Sequence, residues 1–168
     1  CAHLTDLALC LNCGHIQKKI TPEYEQQVKD IYLNYEIFSQ SGGEEQVIFV
    51  NGKPSSRSAL LSSWLEKRLE LFEGYSILDF GCGDGSAIKS LSEVFKGAHL
   101  MGYEIEDLPR PKLEHIPQFQ GILIGERFES ERRFDLITMI HCLEHIPNPE
   151  TVLKTIWDQL SVGGHLFI

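Results

Sequence analysis

The sequence predicts an α/β fold, a parallel sheet covered by helices on both faces, preceded by a small segment that carries cysteine and histidine. Three observations carry that expectation. From about residue 75 onward, apolar runs alternate with helix-patterned stretches, the pattern of a parallel sheet buried on both sides. The first apolar run, Ile77-Leu78-Asp79-Phe80, passes straight into Gly81-Cys82-Gly83-Asp84-Gly85-Ser86. Glycines at every second position let the backbone turn sharply and lie close against a ligand. Finally, 168 residues with 42% hydrophobic and 23% charged side chains suit one ordinary soluble domain with a small appendage.

The first region spans residues 1–57. From Cys1 to about Lys19 it is rich in cysteine and histidine and has no helical period. Thr21-Pro22-Glu23 then reads as a helix start, with a capping residue and proline at the first helical position, followed by Val28, Ile31, Tyr32 and Tyr35 at helical spacing. Residues 39–58 read as a linker; Val47-Ile48-Phe49-Val50 and the turn Asn51-Gly52-Lys53-Pro54 within it suit a hairpin.

The main domain spans residues 58–168. Leu61, Trp64, Leu65, Leu69 and Phe72 make one helical face, flanked by Leu60 and Leu71. Strand one is expected at 75–80 and a helix from about Ser86 to Phe95. Strand two follows at His99–Glu104, strand three at Gly121–Ile124 and strand four at 134–141. A helix over 149–160 leads to strand five near His165. Between Glu104 and Gly121, Pro109, Pro111 and Pro117 leave room for little more than two turns. The chain opens on Cys1 and stops inside the expected strand His165-Leu166-Phe167-Ile168, which points to a longer parent protein.

Charge narrows the partners. The net charge of −9 argues against a nucleic-acid surface, and Arg127, Arg132 and Arg133 are interleaved with Glu126, Glu129 and Glu131 as in a solvated loop. No apolar run is long enough to cross a membrane, and no signal-peptide pattern opens the chain. Five cysteines without a secretory signal fit reduced thiols and a cytoplasmic location. A small molecule is the expected partner.

The glycine loop narrows the ligand. A dinucleotide pyrophosphate favours bare amides on a G-x-G-x-x-G spacing and is repelled by acids. Here Ser86 stands at the third glycine position, and Asp79 and Asp84 suit a ligand whose near end is an ammonium group. The loop resembles motif I of the class I S-adenosylmethionine-dependent methyltransferases. Two later stretches extend the resemblance: Phe134-Asp135-Leu136-Ile137 running into His141-Cys142-Leu143-Glu144-His145-Ile146-Pro147-Asn148-Pro149, and Leu160-Ser161-Val162-Gly163-Gly164-His165-Leu166-Phe167-Ile168. The resemblance implies a Rossmann-like sheet, S-adenosyl-L-methionine as cofactor, methyl transfer, and two more strands after strand five.

It also implies roles. Asp79 would fix the loop and the cofactor's ammonium group, with Gly81, Cys82, Gly83 and Gly85 as the close-approach loop. Glu104, about 20 residues beyond the loop, would hold the ribose hydroxyls beside Ile105, with Glu106 its competitor. Glu126 takes the adenine position or stands as a solvated side chain. Ile140 and His141 would face the cofactor at the end of strand four. His145 is either a general base or a residue that closes the loop before Pro147.

Cys10-Leu11-Asn12-Cys13-Gly14-His15 is a Cys-x2-Cys knuckle. Structural zinc takes four ligands, and Cys1, His3 and His15 are the available completions. The stretch around it, continued by Ile31-Tyr32-Leu33-Asn34-Tyr35-Glu36-Ile37-Phe38-Ser39, resembles the zinc-binding amino-terminal module of sugar C-methyltransferases. That resemblance implies Zn2+ on Cys1, Cys10, Cys13 and His15, and a nucleotide-linked sugar under Tyr32 and Tyr35. These tyrosines read equally as aromatic anchors. Two other readings stand beside this one: a cofactor-binding module without its own activity, and an O- or N-methyltransferase of a non-sugar metabolite.

Overall fold

The computed structural model describes residues 7–32, 45, 47–70, 74–105, 107 and 113–168. The chain divides into two compact units, Cys1–Glu36 and Ile37–Ile168.

In the first unit, β1 (Leu7–Leu9) pairs antiparallel with β2 (Ile16–Lys18), with Leu9 opposite Ile16. Their turn is closed by Cys10 N donating to His15 O and Gly14 N to Cys10 O, both at 2.8 Å. Helix α1 (Pro22–Tyr32) starts as its sequence requires: Thr21 Oγ1 accepts from Tyr24 N at 3.2 Å, and proline takes the first position.

The second unit opens with the hairpin β3 (Val47–Val50) and β4 (Lys53–Ser56), in which Val50 faces Lys53 across the Asn51-Gly52 turn. Asn51 takes a φ of 50°, as a two-residue hairpin turn demands. Helix α2 (Arg57–Glu66) follows directly, with Ser56 as its cap accepting from Ala59 N at 3.1 Å. It is shorter than the expected apolar face, ending at Glu66, and its buried positions are Ser58, Ser62 and Leu65. Small residues there let the helix lie close against its neighbour. Trp64 stays 44% exposed, with the Arg68 guanidinium 3.8 Å over its ring. Leu71 and Phe72 fall outside the described residues.

The remainder is β5 (Ser76–Phe80), α3 (Ser86–Val94), β6 (His99–Glu104), β7 (Phe119–Ile124), β8 (Phe134–Thr138), α4 (Pro149–Gln159) and β9 (Leu160–Phe167). All five strands run parallel in the order β7-β6-β5-β8-β9. The chain works outward from β5 through β6 to β7, then returns to the other side of β5. Ligands in such sheets bind where the order reverses, outside the carboxyl ends of the strands. Here that point lies between β5 and β8.

Alternate residues of β5 build two cores. Ile77, with Leu100 and Leu136, packs with Leu65, Ile88, Leu91 and Phe95 on one face. Leu78 and Phe80, with Met101, Tyr103 and Ile137, pack with Phe134 and Ile156 on the other. Ile77 and Leu78 are both fully buried. This explains why the strand shows no polar alternation.

Three strand boundaries differ from expectation. Strand three begins at Phe119, two residues early, and strand four ends at Thr138, before Met139. Strand five begins at Leu160. Six residues of β9, Leu160 to His165, stand against three of β8, Phe134 to Leu136, so the register shifts by a bulge in β9. Residues 108–112 are outside the described part of the proline-rich connection. From Leu113, two tight bonds, Ile116 N to Leu113 O and Phe119 N to Ile116 O, lead into β7. Among the described residues no helix is long and apolar enough to cross a membrane.

Candidate functional site

The glycine loop leaves β5 tied to the neighbouring strand β6. Gly81 N and Cys82 N donate to Tyr103 O at 2.9 and 3.1 Å, which folds the loop back over β6. Gly81 has a φ of +75°, and a Cβ there would meet Cys142 Sγ at 2.5 Å. Gly85, at φ +82°, would place a Cβ 2.6 Å from the Leu113 side chain. Both positions therefore need glycine on conformation and on space. Asp84 then starts α3 by accepting from Ser86 N and Ser86 Oγ, each at 2.9 Å.

Two acids converge on this loop from β5 and β6. Glu104 accepts from Gly83 N through Oε2 at 2.9 Å and from Ile105 N through Oε1 at 2.8 Å. Each carboxylate oxygen keeps a second lone pair for a ligand hydroxyl. Asp79 is only 3% exposed and accepts from the fully buried Thr138 hydroxyl at 2.6 Å. Burial pushes its carboxyl up to about 7; the Thr138 bond opposes the rise, while the charges of Glu104 and Asp84 add to it. A cation arriving here would relieve that repulsion. The Cys142 thiol beside Gly81 is pushed up to about 12, by burial first and then by Glu104, Asp79 and Glu144. It is therefore a neutral packing group at physiological pH. Tyr103 closes the floor, donating to Gly125 O at 2.8 Å with its ring 4.5 Å from Phe80 and 5.0 Å from Phe128.

Beyond β8, His141 has a φ of 52° and an exposed ring. Its Nε2 is hydrogen-bonded to Arg57 Nη1, and its Nδ1 lies 3.4 Å from Glu144 Oε1. The Glu144 carboxyl is held below its usual range by its own backbone N–H first, then by His145 and His141. A 3-10 turn, Leu143–His145, carries Glu144 and His145, with His145 N donating to Cys142 O at 3.0 Å.

The fold thus gathers Asp79, Gly81, Cys82, Gly83, Gly85 and Glu104 at the carboxyl ends of β5 and β6, with Ile140 and His141 just past β8. Ile105 and Glu126 are exposed, the latter in the bend after β7. His145 is exposed on the turn after β8. Tyr35 and the Tyr32 side chain lie outside the described residues, as do Cys1 and His3. Sequence reasoning missed Thr138, Cys142 and Arg57. Thr138 had a signal, a hydroxyl inside an apolar strand; Arg57 had none.

In the first unit, Cys10 and Cys13 are exposed free thiols on the turn between β1 and β2. The Cys10 thiol is lowered by the backbone N–H of Cys13 first and of Asn12 second. His15 is exposed on the same turn. Among the described residues no group of three or more His, Cys, Asp or Glu gathers to hold a metal.

An acid-bearing glycine loop at the switch point of a parallel sheet defines a cofactor-binding α/β domain, and the acids fit a cofactor that brings positive charge. A family model described as a methyltransferase domain matches residues 55–168. The chain belongs to the class I S-adenosylmethionine-dependent methyltransferase family. A ubiquinone biosynthesis O-methyltransferase of Shewanella halifaxensis is 30% identical over 102 residues, covering 56% of this chain and 42% of that protein. The Pseudomonas fluorescens protein of the same name is 26% identical over 113 residues, covering 62% and 47%. The chain spans about half the length of the curated relatives it matches. Among solved structures, coclaurine N-methyltransferase bound to N-methylheliamine and SAH superposes with a TM-score of 0.59 at 18% identity, over 88% of this chain and 51% of that one. A methyltransferase from Thiobacillus denitrificans in complex with S-adenosyl-L-homocysteine gives 0.52 at 18% identity, over 62% and 45%. At these identities the structures speak for the fold alone.

Proposed function

We infer that this chain carries the cofactor-binding part of an enzyme that methylates a small molecule from S-adenosylmethionine. The observation that carries the reading is the set of three acids, Asp79, Asp84 and Glu104, around a loop with no room for side chains at Gly81 and Gly85. When bound, the cofactor supplies an electrophilic methyl group on a sulfonium. Asp79 offers negative charge to the cofactor's ammonium end, through the loop that it and Thr138 anchor. Glu104 receives the ribose hydroxyls while keeping Gly83 in place, beside Ile105. Glu126 lies on the adenine side, and Ile140 and His141 line the side where the methyl is delivered. Glu144 and His145 stand at the acceptor mouth, where His145 serves as base for an acceptor that must lose a proton.

The names of the relatives favour oxygen of a non-sugar metabolite as the acceptor. The knuckle favours a second reading. Backbone N–H groups directed at Cys10 stabilise a thiolate, the form that zinc takes. Cys10 and Cys13 would be half of a zinc site, completed by His15 and Cys1, in a module that closes Tyr32 and Tyr35 over a nucleotide sugar. Free thiols at Cys10, Cys13 and Cys142 suit a cytoplasmic location.

Calorimetry of the chain with S-adenosylhomocysteine and with NAD tests the cofactor assignment. The first is expected to bind and the second not, and Glu104→Gln is expected to weaken binding about tenfold or more, the loss of a charged hydrogen-bond partner. Absence of S-adenosylhomocysteine binding, or an unchanged affinity in Glu104→Gln, would overturn it. Zinc content of the same preparation, near one per chain or near zero, decides between the two acceptor readings.

A further inference from the structure

Arg57 opens α2, and its guanidinium reaches the segment after β8, where Nη1 is hydrogen-bonded to His141 Nε2. Arginine has five N–H donors and no acceptor, so Nε2 must accept. The ring proton then sits on Nδ1, which faces Glu144 Oε1 at 3.4 Å. In this arrangement His141 carries a proton on Nδ1 and stands between a cation and a carboxylate. Its neighbour Cys142 packs on Gly81, which puts this trio at the mouth of the glycine-loop site.

The pairing is chemically unequal. The chain has 24 acidic side chains against 15 lysines and arginines, yet the partner of Arg57 among the described residues is an uncharged ring. The nearby Glu45 carboxylate is engaged elsewhere, accepting from Ser58 N at 2.8 Å and Ser58 Oγ at 3.0 Å. Glu144 is engaged on the far side of His141. A planar guanidinium prefers a carboxylate or phosphate, which accepts two parallel N–H bonds, over a single ring nitrogen. The bond to His141 is thus one that an acidic oxygen group can displace.

We propose that Arg57 recognises an acidic oxygen group on the methyl acceptor, which replaces His141 as its partner. The exchange releases the Nε2 lone pair of His141, still oriented through Nδ1–H by Glu144, to accept a hydrogen bond from the acceptor's own O–H. The proposal rests on the reading of this mouth as the acceptor side of a methyltransferase. It adds a substrate class: acceptors carrying a carboxylate or phosphate in addition to the group that is methylated.

The test follows the His141 ring nitrogens by 15N NMR, with the chain saturated in S-adenosylhomocysteine. It is titrated with benzoate, phenyl phosphate and the neutral isostere benzamide, up to on the order of 10 mM, the range in which single-fork contacts register. One or both anions are expected to shift the His141 Nε2 resonance while benzamide does not, and the stronger anion names the group. Arg57→Gln should cut the response about tenfold, with Arg57→Lys intermediate because it keeps charge but loses the fork. Unchanged circular dichroism and S-adenosylhomocysteine affinity in both variants confirm that they fold. No shift with either anion, an equal shift with benzamide, or a full response in Arg57→Gln overturns the proposal. Loss of S-adenosylhomocysteine binding in the wild-type chain would instead strike the cofactor assignment, and the anion titration repeated without it still reads Arg57.

Discussion

Asp79 concentrates the conflict between stability and ligand binding. Buried beside Glu104 and Asp84, its carboxyl titrates at about 7 when folded, against an ordinary value of 3.8. Between those values the folded chain holds a proton that the unfolded chain releases. Stability from this group is therefore fully present below the unfolded value and is lost as pH climbs through the folded one. Asp79→Asn abolishes that titration and retains an oxygen for Thr138. Between pH 5 and pH 8, the ligand-free wild-type chain should lose about 2–3 kcal/mol more stability than Asp79→Asn. Urea titrations at the two pH values check this; parallel losses would show that Asp79 is not the titrating group. S-adenosylhomocysteine binding should weaken in the variant at both. At this scale the acids and glycines were legible, because each has a chemical reason to stand in its position. Thr138 and Cys142 were not, since a hydroxyl or thiol declares its role only when a carboxylate or a glycine comes to face it.

Among the elements, α2 depends most on its ends. The Ser56 side chain caps Ala59 N, and Glu45 holds the next turn through Ser58. Ser56→Ala removes the cap and should cost about 1 kcal/mol in urea denaturation. Affinity for S-adenosylhomocysteine should be unchanged, because none of its proposed ligands lies on α2. A loss well below that figure would mean that Glu45 alone secures the helix start. The elements that match expectation are those with strong local signals: α3 after its glycine loop, β6 as a continuous apolar run, and the Asn-Gly hairpin. Helix α2 ends at Glu66, short of the apolar face that predicted it, and strand β9 starts earlier than expected because Leu160 pairs with Phe134 of β8 ahead of the bulge, a partner no local pattern names.

For the whole second unit, stability rests on a sheet whose central strand feeds two cores at once. Ile77 belongs to one and Leu78 to the other, each without exposed surface. Ile77→Ala should cost roughly 2–5 kcal/mol, the range for a large-to-small change in a fully packed site. S-adenosylhomocysteine at about 100 times its dissociation constant should return about 2.7 kcal/mol, because it binds the folded chain alone. Thermal melts with and without ligand measure both; a cost under about 1 kcal/mol would deny β5 its central place.

The sequence by itself determined the class of fold, the strand at which the ligand loop sits, and the charge that loop presents. These are local properties, written in period, glycine spacing and side-chain type. Tertiary structure alone decided which residues from distant segments complete the mouth. Arg57 meets His141 across 84 positions, and Thr138 meets Asp79 across 59. Such meetings arise from strand order, since β8 returns beside β5 only after β6 and β7 have been laid down on its other side. No local pattern encodes that return, and it is what places an arginine, with no motif around it, where an acceptor would arrive.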